Sequence, residues 1–243
     1  MARIRHIFRD RRGTATVEFV LVLPVALFLS LALLQLMLLM GGFIFVHYAA
    51  FAATRSAIVY VPTDFGADGE PANEYVESAQ SPKHQAIHRA ASAAMVPVSG
   101  RASSGVAGAD TFAAALGNYY QAAGVATPKW VSTLAPDRFR YAFQHTTVAV
   151  SYAEADPVTG EIDFIEVGSN GSHTFGPKDP IAVRVQHRFH LSVPYVRWLF
   201  ADGGMSSSSS PDAGYATLAA SYTLTNEGIA ANLPPTPGID RDP

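Results

Sequence analysis

Arg11-Arg12-Gly13-Thr14-Ala15-Thr16-Val17-Glu18-Phe19-Val20-Leu21-Val22-Leu23-Pro24 sets two arginines, a glycine and one carboxylate directly in front of a long apolar run. From Phe19 to Ala53 no side chain is formally charged. At about 1.5 Å rise per residue, that run exceeds the roughly 20 residues a bilayer core requires. A carboxylate at the edge of such a segment is costly, and its default reading is functional.

Upstream of the run, residues 1–13 hold Arg3, Arg5, Arg9, Arg11 and Arg12 against Asp10, a net of +4. The 243-residue chain carries −3 in all, so the remainder carries −3 − 4 = −7. The basic leader, Arg9, Arg11 and Arg12 foremost, predicts a cytoplasmic N-terminus and a single pass through the inner (cytoplasmic) membrane. Residues from about Tyr60 onward are then expected on the periplasmic or extracellular side. Phe19–Val46 is 28 residues long, interrupted only by Ser30 and Gln35. A secretory signal's apolar region runs about 7–15 residues, so an anchor is the expectation. Ala50–Ala53 is where a signal peptidase would otherwise cut.

Pro24 removes one backbone donor and is expected to bend the helix, which neighbouring helices can accommodate in a membrane. Gly41-Gly42 reads as a second weak point, at the bilayer exit. Beyond it Phe43, Val46, Ala50, Ala53, Ala57 and Tyr60 recur at three- and four-residue steps, so the helix is expected to continue to Val61. Small residues such as Ala49, Ala53 and Ser56 permit close helix contact. Pro62 and Thr63-Asp64 end it.

The rest of the chain, about 180 residues, suffices for one globular domain. Its acidic balance argues against a nucleic-acid partner, which needs a basic face. The absence of cysteine excludes disulfides, thiol catalysis and cysteine-ligated metals. Thr63–Pro82 reads as a loop. Pro82–Met95 reads as a helix with Ser81 as its N-cap. His84 and His88 stand at i and i+4, but Gln85 replaces the glutamate of the zinc-protease pattern and no third ligand is near. A solvated helix face is the expectation there, and no metal or cofactor. Pro97–Gly108 reads as a loop and Asp110–Ala123 as a second helix. Thr146–Ala153 and Glu161–Val167 read as a hairpin across Asp156–Gly160.

Pro180–Val193 carries the clearest alternation, with Ile181, Val183, Val185, His187, Phe189, Leu191 and Val193 on one face. His187 is expected as a hydrogen-bonded core histidine. Pro194–Phe200 reads as an aromatic turn that caps the core or touches the membrane surface, with capping preferred. Ala201–Gly214 reads as a flexible loop and Tyr215–Thr225 as the last strand, followed by a disordered tail over residues 233–243. No phosphate loop, dinucleotide fingerprint or nucleophile elbow is present. Carboxylates are scattered and histidines fall on different faces, so a non-enzymatic chain is expected.

Arg12-Gly13, Val17-Glu18-Phe19, Leu21-Val22-Leu23-Pro24 and Ala53-Thr54-Arg55-Ser56-Ala57 together resemble the TadE-like family, the minor pilins (pseudopilins) of the Tad type IV pilus system. The resemblance covers about 45 residues. It implies cutting by a membrane prepilin peptidase after Gly13, with Thr14 as the first mature residue and Glu18 as the fifth. Phe19, where major pilins of this system carry tyrosine, points to a minor subunit. It also implies a pilin-like α+β fold: a long N-terminal transmembrane helix that leaves the membrane and packs on a small antiparallel β-sheet. The expected organisation is a leader over residues 1–13, a helix over 14–61, an extracytoplasmic α+β domain over 62–232, then the tail.

Physical chemistry gives Glu18 a matching role. Cleavage after Gly13 creates an α-amino cation, and a neighbouring subunit can present it to Glu18, because a buried carboxylate is tolerable when paired. Glu18 and Pro24 are therefore the expected assembly residues, with other pilin or pseudopilin subunits, the peptidase and the membrane as partners. The competing reading leaves Glu18 in the headgroup layer near Arg11 or Arg12. For the whole chain the alternative is a single-pass anchored extracytoplasmic sensor or enzyme.

Overall fold

The computed structural model describes residues 11–66, 70–102, 108–155, 160–202 and 214–227, with side chains from Val17 onward. Arg9, residues 156–159 of the expected hairpin turn, Ser206–Ser210 and the 233–243 tail lie outside them. The described chain is α+β. It forms α1 (Arg11–Tyr60), β1 (Glu74–Val76), α2 (Pro82–Met95), α3 (Ala109–Ala122), α4 (Lys129–Thr133), α5 (Ala135–His145), β2 (Thr146–Ala155), β3 (Ile162–Glu166), β4 (Ser172–Thr174), β5 (Pro180–His190), α6 (Arg197–Phe200) and β6 (Tyr215–Thr225). The chain divides into two compact units, residues 1–41 with 190–216, and residues 42–189 with 217–243.

In the larger unit a four-stranded sheet runs in the order β3-β2-β5-β6. β2 pairs antiparallel with β5, Thr146 opposite His187 and Tyr152 opposite Ile181, and with β3, Ser151 opposite Glu166. That register sets Val148 and Val150 across from Val185 and Val183 on one buried face. Val150, Ile181, Val183 and Val185 have no exposed surface, and each contributes about 1.5–3 kcal/mol relative to an exposed position. Ile162 and Phe164 of the edge strand β3 stay exposed. Val167 N–H still reaches Val150 O at 2.8 Å.

The C-terminal part of α1 packs on this sheet through its small-residue stripe. Val46, Ala49, Ala50, Ala53, Ala57 and Val61 are fully buried. Thr54 Oγ1 donates to Ala50 O and lies 3.1 Å from Tyr222 O of β6, and the Phe51 ring meets the Tyr222 ring edge-on. Gly42 has a different use from the weak point expected of it. A Cβ there would lie 2.9 Å from Leu218 Cδ1 and from Phe189 Cδ2, so glycine is what lets strand side chains press on the helix. The helix runs through it unbroken.

α1 ends where Pro62 cannot supply a donor, and a buried lysine completes the end. Lys83 Nζ donates to Val61 O at 2.8 Å, Pro71 O at 2.6 Å and Glu74 O at 2.7 Å. All three ammonium donors are used, beside a helix C-terminus where a cation is favoured. Burial pulls this ammonium's pKa down, opposed by Glu70, Glu74 and Asp64.

Two expectations change here. Residues 63–82 are not all loop, because β1 pairs with β4, Tyr75 opposite His173. The stretch before β2, where no periodic pattern predicts an element, holds α4 and α5, and α5 buries Phe139, Tyr141 and Ala142. α2 begins as expected, with the Ser81 side chain accepting from His84 N–H. It lies against α5, β2 and β1.

Candidate functional site

The N-terminal part of α1 is built of apolar side chains that are mostly exposed. Val17, Phe19, Val20, Leu21, Val22, Val25, Leu27 and Leu29 are exposed, as is Pro24 inside the helix. This is one helix near the N-terminus long and apolar enough to cross a membrane, with none of its most apolar window buried. Apolar side chains around the whole circumference need lipid or other helices as their surroundings. Gly13 and Thr14 lie on helical backbone in its first turn, as do Arg11 and Arg12. Glu18 is exposed, and no described side chain pairs with it.

The smaller unit joins this helix to residues 190–216. Gln35 interrupts the apolar run and is fully buried there, its Oε1 accepting from Val193 N–H at 3.0 Å. The Phe28 ring stacks on Trp198, centroids 6.3 Å apart and planes 25° from parallel. Val196 is fully buried, whereas Tyr195, Arg197, Trp198 and Leu199 are exposed. The aromatic turn therefore seals little of the core: Val196 does so, and its larger neighbours face outward.

In the larger unit the fold assembles a second constellation. Tyr75 on β1 bridges Glu77 and His84. Its hydroxyl donates to Glu77 Oε2 at 3.0 Å, so the 2.8 Å bond with His84 Nδ1 has the imidazole as donor. His88 Nε2 donates to Thr146 O at 2.8 Å. The two imidazoles lie nearly parallel with centroids 6.1 Å apart. They line, with Glu77, Ser78, Thr146, Thr147 and Asn170, a cavity of about 390 Å³. Burial lowers the pKa of both histidines, raises that of Glu77 and pushes the Tyr75 hydroxyl upward.

The solvated histidine face expected from the sequence is thus corrected. Both rings are half-buried and hydrogen-bonded, because β1 and β2 pack beside α2 and bring acceptors to them. Tyr75 and Glu77 join the histidines because β1 lies against α2, a contact that no local pattern announces. Among the described residues no group of three His, Asp or Glu side chains is placed to hold a metal ion. His187 is the core histidine expected: fully buried, bonded through Nδ1 to Thr146 Oγ1 at 2.9 Å, and depressed by burial to a pKa of about 4.

The arrangement offers a long apolar helix with a lone carboxylate near its start, and a polar cavity lined by hydrogen-bonding groups. No protein-family model, curated protein or solved structure matches the chain.

Proposed function

We propose that the chain is a non-enzymatic, membrane-anchored pseudopilin of a Tad-type pilus, processed after Gly13 and assembled through its N-terminal helix. One observation carries this reading. A single 50-residue helix is apolar and mostly exposed from Val17 to Leu34, while one stripe of its second half, Val46, Ala49, Ala50, Ala53 and Ala57, is buried against an antiparallel sheet. An anchor alone needs only the first half. A helix that must leave the bilayer as part of an assembly needs both, with a domain fastened to the second.

The processing step fits the local chemistry. Glycine costs a helix about 1 kcal/mol relative to alanine, so the turn around Gly13 is easy to open for a peptidase. Glu18 then lies where the new α-amino group of a neighbouring subunit can neutralise it. Intact-mass measurement of the chain from its native membrane is the first test, with a mature N-terminus at Thr14 expected. Glu18→Ala is expected to leave insertion intact and abolish incorporation into the assembly. A chain that keeps Met1, or normal piliation by Glu18→Ala, refutes the proposal.

The second reading, an anchored sensor, is favoured by the polar cavity at His84 and His88. An unprocessed N-terminus would turn the balance to it.

A further inference from the structure

We propose that Pro194–Phe200 forms a second, non-spanning membrane contact, its aromatic side chains seated in the bilayer leaflet farther from Arg12. The inference rests on reading α1 as the membrane anchor, and all the residues it uses belong to the smaller unit.

Position along the helix is the first argument. Counting from Val17 at about 1.5 Å per residue, Phe28 lies about 16 Å and Gln35 about 27 Å along the axis. A hydrocarbon core is about 30 Å thick. The turn touches α1 at these two residues, through Trp198 on Phe28 and Val193 N–H on Gln35. If α1 spans the bilayer from Val17, whatever is fastened at Phe28 and Gln35 lies within the far leaflet.

Composition is the second. Tyr195 is 79% exposed and Leu199 52%, with Trp198 and Arg197 also outward. Tyrosine, tryptophan and a snorkelling arginine are the side chains of a membrane interface, where one end is apolar and the other wet. Tyr195 sits at a φ of 66°, an unfavourable region for a bulky residue, and its ring is not buried in the chain. Burial of that ring against lipid would offset the backbone cost.

Backbone chemistry is the third. Irregular chain is tolerated at membrane depth only when its polar groups are satisfied from within. Here Leu191 N–H reaches Gly214 O at 2.8 Å, Leu199 N–H reaches Val196 O at 3.0 Å and Asp202 N–H reaches Tyr215 O at 3.0 Å. The Val193 donor is taken by Gln35. That contact gives a reason for a glutamine inside an otherwise apolar run: its Oε1 supplies an acceptor to a segment with no water to bond, while its Nε2 is buried without a partner.

The chain lacks cysteine, so single spin labels report position directly. The full chain carrying Tyr195→Cys, Leu199→Cys or Leu29→Cys is reconstituted in phosphatidylethanolamine–phosphatidylglycerol vesicles. Collision of the label with oxygen is compared with collision with a water-soluble nickel chelate. Labels at positions 195 and 199 are expected to favour oxygen, as the Leu29 position does, and to resist the chelate. Chelate access at 195 and 199 equal to that of free label in water, with position 29 protected, overturns this inference and leaves the anchor standing. Chelate access at position 29 overturns both. Dipolar broadening between labels at 195, persisting on dilution in lipid, would put a second copy on the turn instead and also overturn it.

Discussion

Lys83→Met removes the ammonium that closes α1 while keeping a side chain of similar reach. Three carbonyls lose a charged donor: Val61 O, Pro71 O and Glu74 O. A hydrogen bond to a charged group contributes about 1.5–3 kcal/mol. The losses do not sum in full, because Val61 O keeps Asn73 N–H at 2.8 Å and Pro71 O keeps Glu74 N–H at 3.3 Å. Relief of the buried charge's desolvation offsets a further part. The expected net destabilisation is about 3–5 kcal/mol, a large share of a typical domain's stability. Urea denaturation of the detergent-solubilised chain measures it, and hydrogen exchange locates it, with the Asn73 amide and the last turn of α1 exchanging first. Arg89→Met on the same helix is the control. Arg89 is exposed and bonds only Gln85 Oε1 among the described side chains, so its loss should stay within about 0.5 kcal/mol. A Lys83→Met cost no larger than the Arg89→Met cost refutes the view that this lysine fastens the helix end.

Acid should destabilise the larger unit in a defined window. His187 binds its proton near pH 4 when folded against 6.5 when unfolded, so from pH 6.5 down to 4 only the unfolded chain takes it up, and stability falls by about 3 kcal/mol. His84, His88, His145 and His173 are also lowered and act in the same direction, while Glu77, raised, acts in the opposite one; denaturation midpoints against pH should show the fall, and His187→Leu should flatten it. The adjacent glycines of α1 should respond in opposite ways. Gly41→Ala meets nothing within 4 Å and should stabilise by about 0.5–1 kcal/mol, whereas Gly42→Val meets Leu218 and Phe189 and should cost about 1–3 kcal/mol; equal thermal shifts for the two would remove the packing explanation.

What was legible in the sequence is what depends on neighbours in the sequence. Ser81 before Pro82 marks the start of α2 because a cap is a local bond, and β6 falls on Tyr215–Thr225 because alternation is a local pattern. α5 was legible in principle: Pro136 and Asp137 stand in its first turn and Phe139 with Ala142 one step apart on its buried side. Pro128, Gly124 and Pro136 mask that pattern by suggesting turns. β5 stops at His190, short of the alternation's end at Val193, because Leu191 and Val193 spend their donors on Gly214 O and Gln35 Oε1 rather than on a ladder. β1 and β4 are three residues each and far apart in the chain, so neither carries enough periodicity to be seen. The histidine cavity was hidden for a related reason, since Tyr75 meets His84 where the short strand β1 lies against α2.

Three polar residues of α1 find hydrogen bonds within the chain. Ser30 returns its hydroxyl to Ala26 O one turn back. Thr54 bonds Ala50 O and Tyr222 O. Gln35 accepts from Val193 N–H. Its Nε2 is buried with no partner, so only half of this amide is answered, at a cost that an apolar setting makes large. Glu18 is the most expensive of the set, being charged and acceptor-only, yet no described side chain answers it. If the chain is processed after Gly13 as proposed, the α-amino group of Thr14 on a neighbouring helix would have the right charge and three donors, four residues from Glu18 in the sequence. Such a pair forms only when two helices stand in one axial register, so the carboxylate would select correctly staggered assemblies over mere co-insertion in the same membrane.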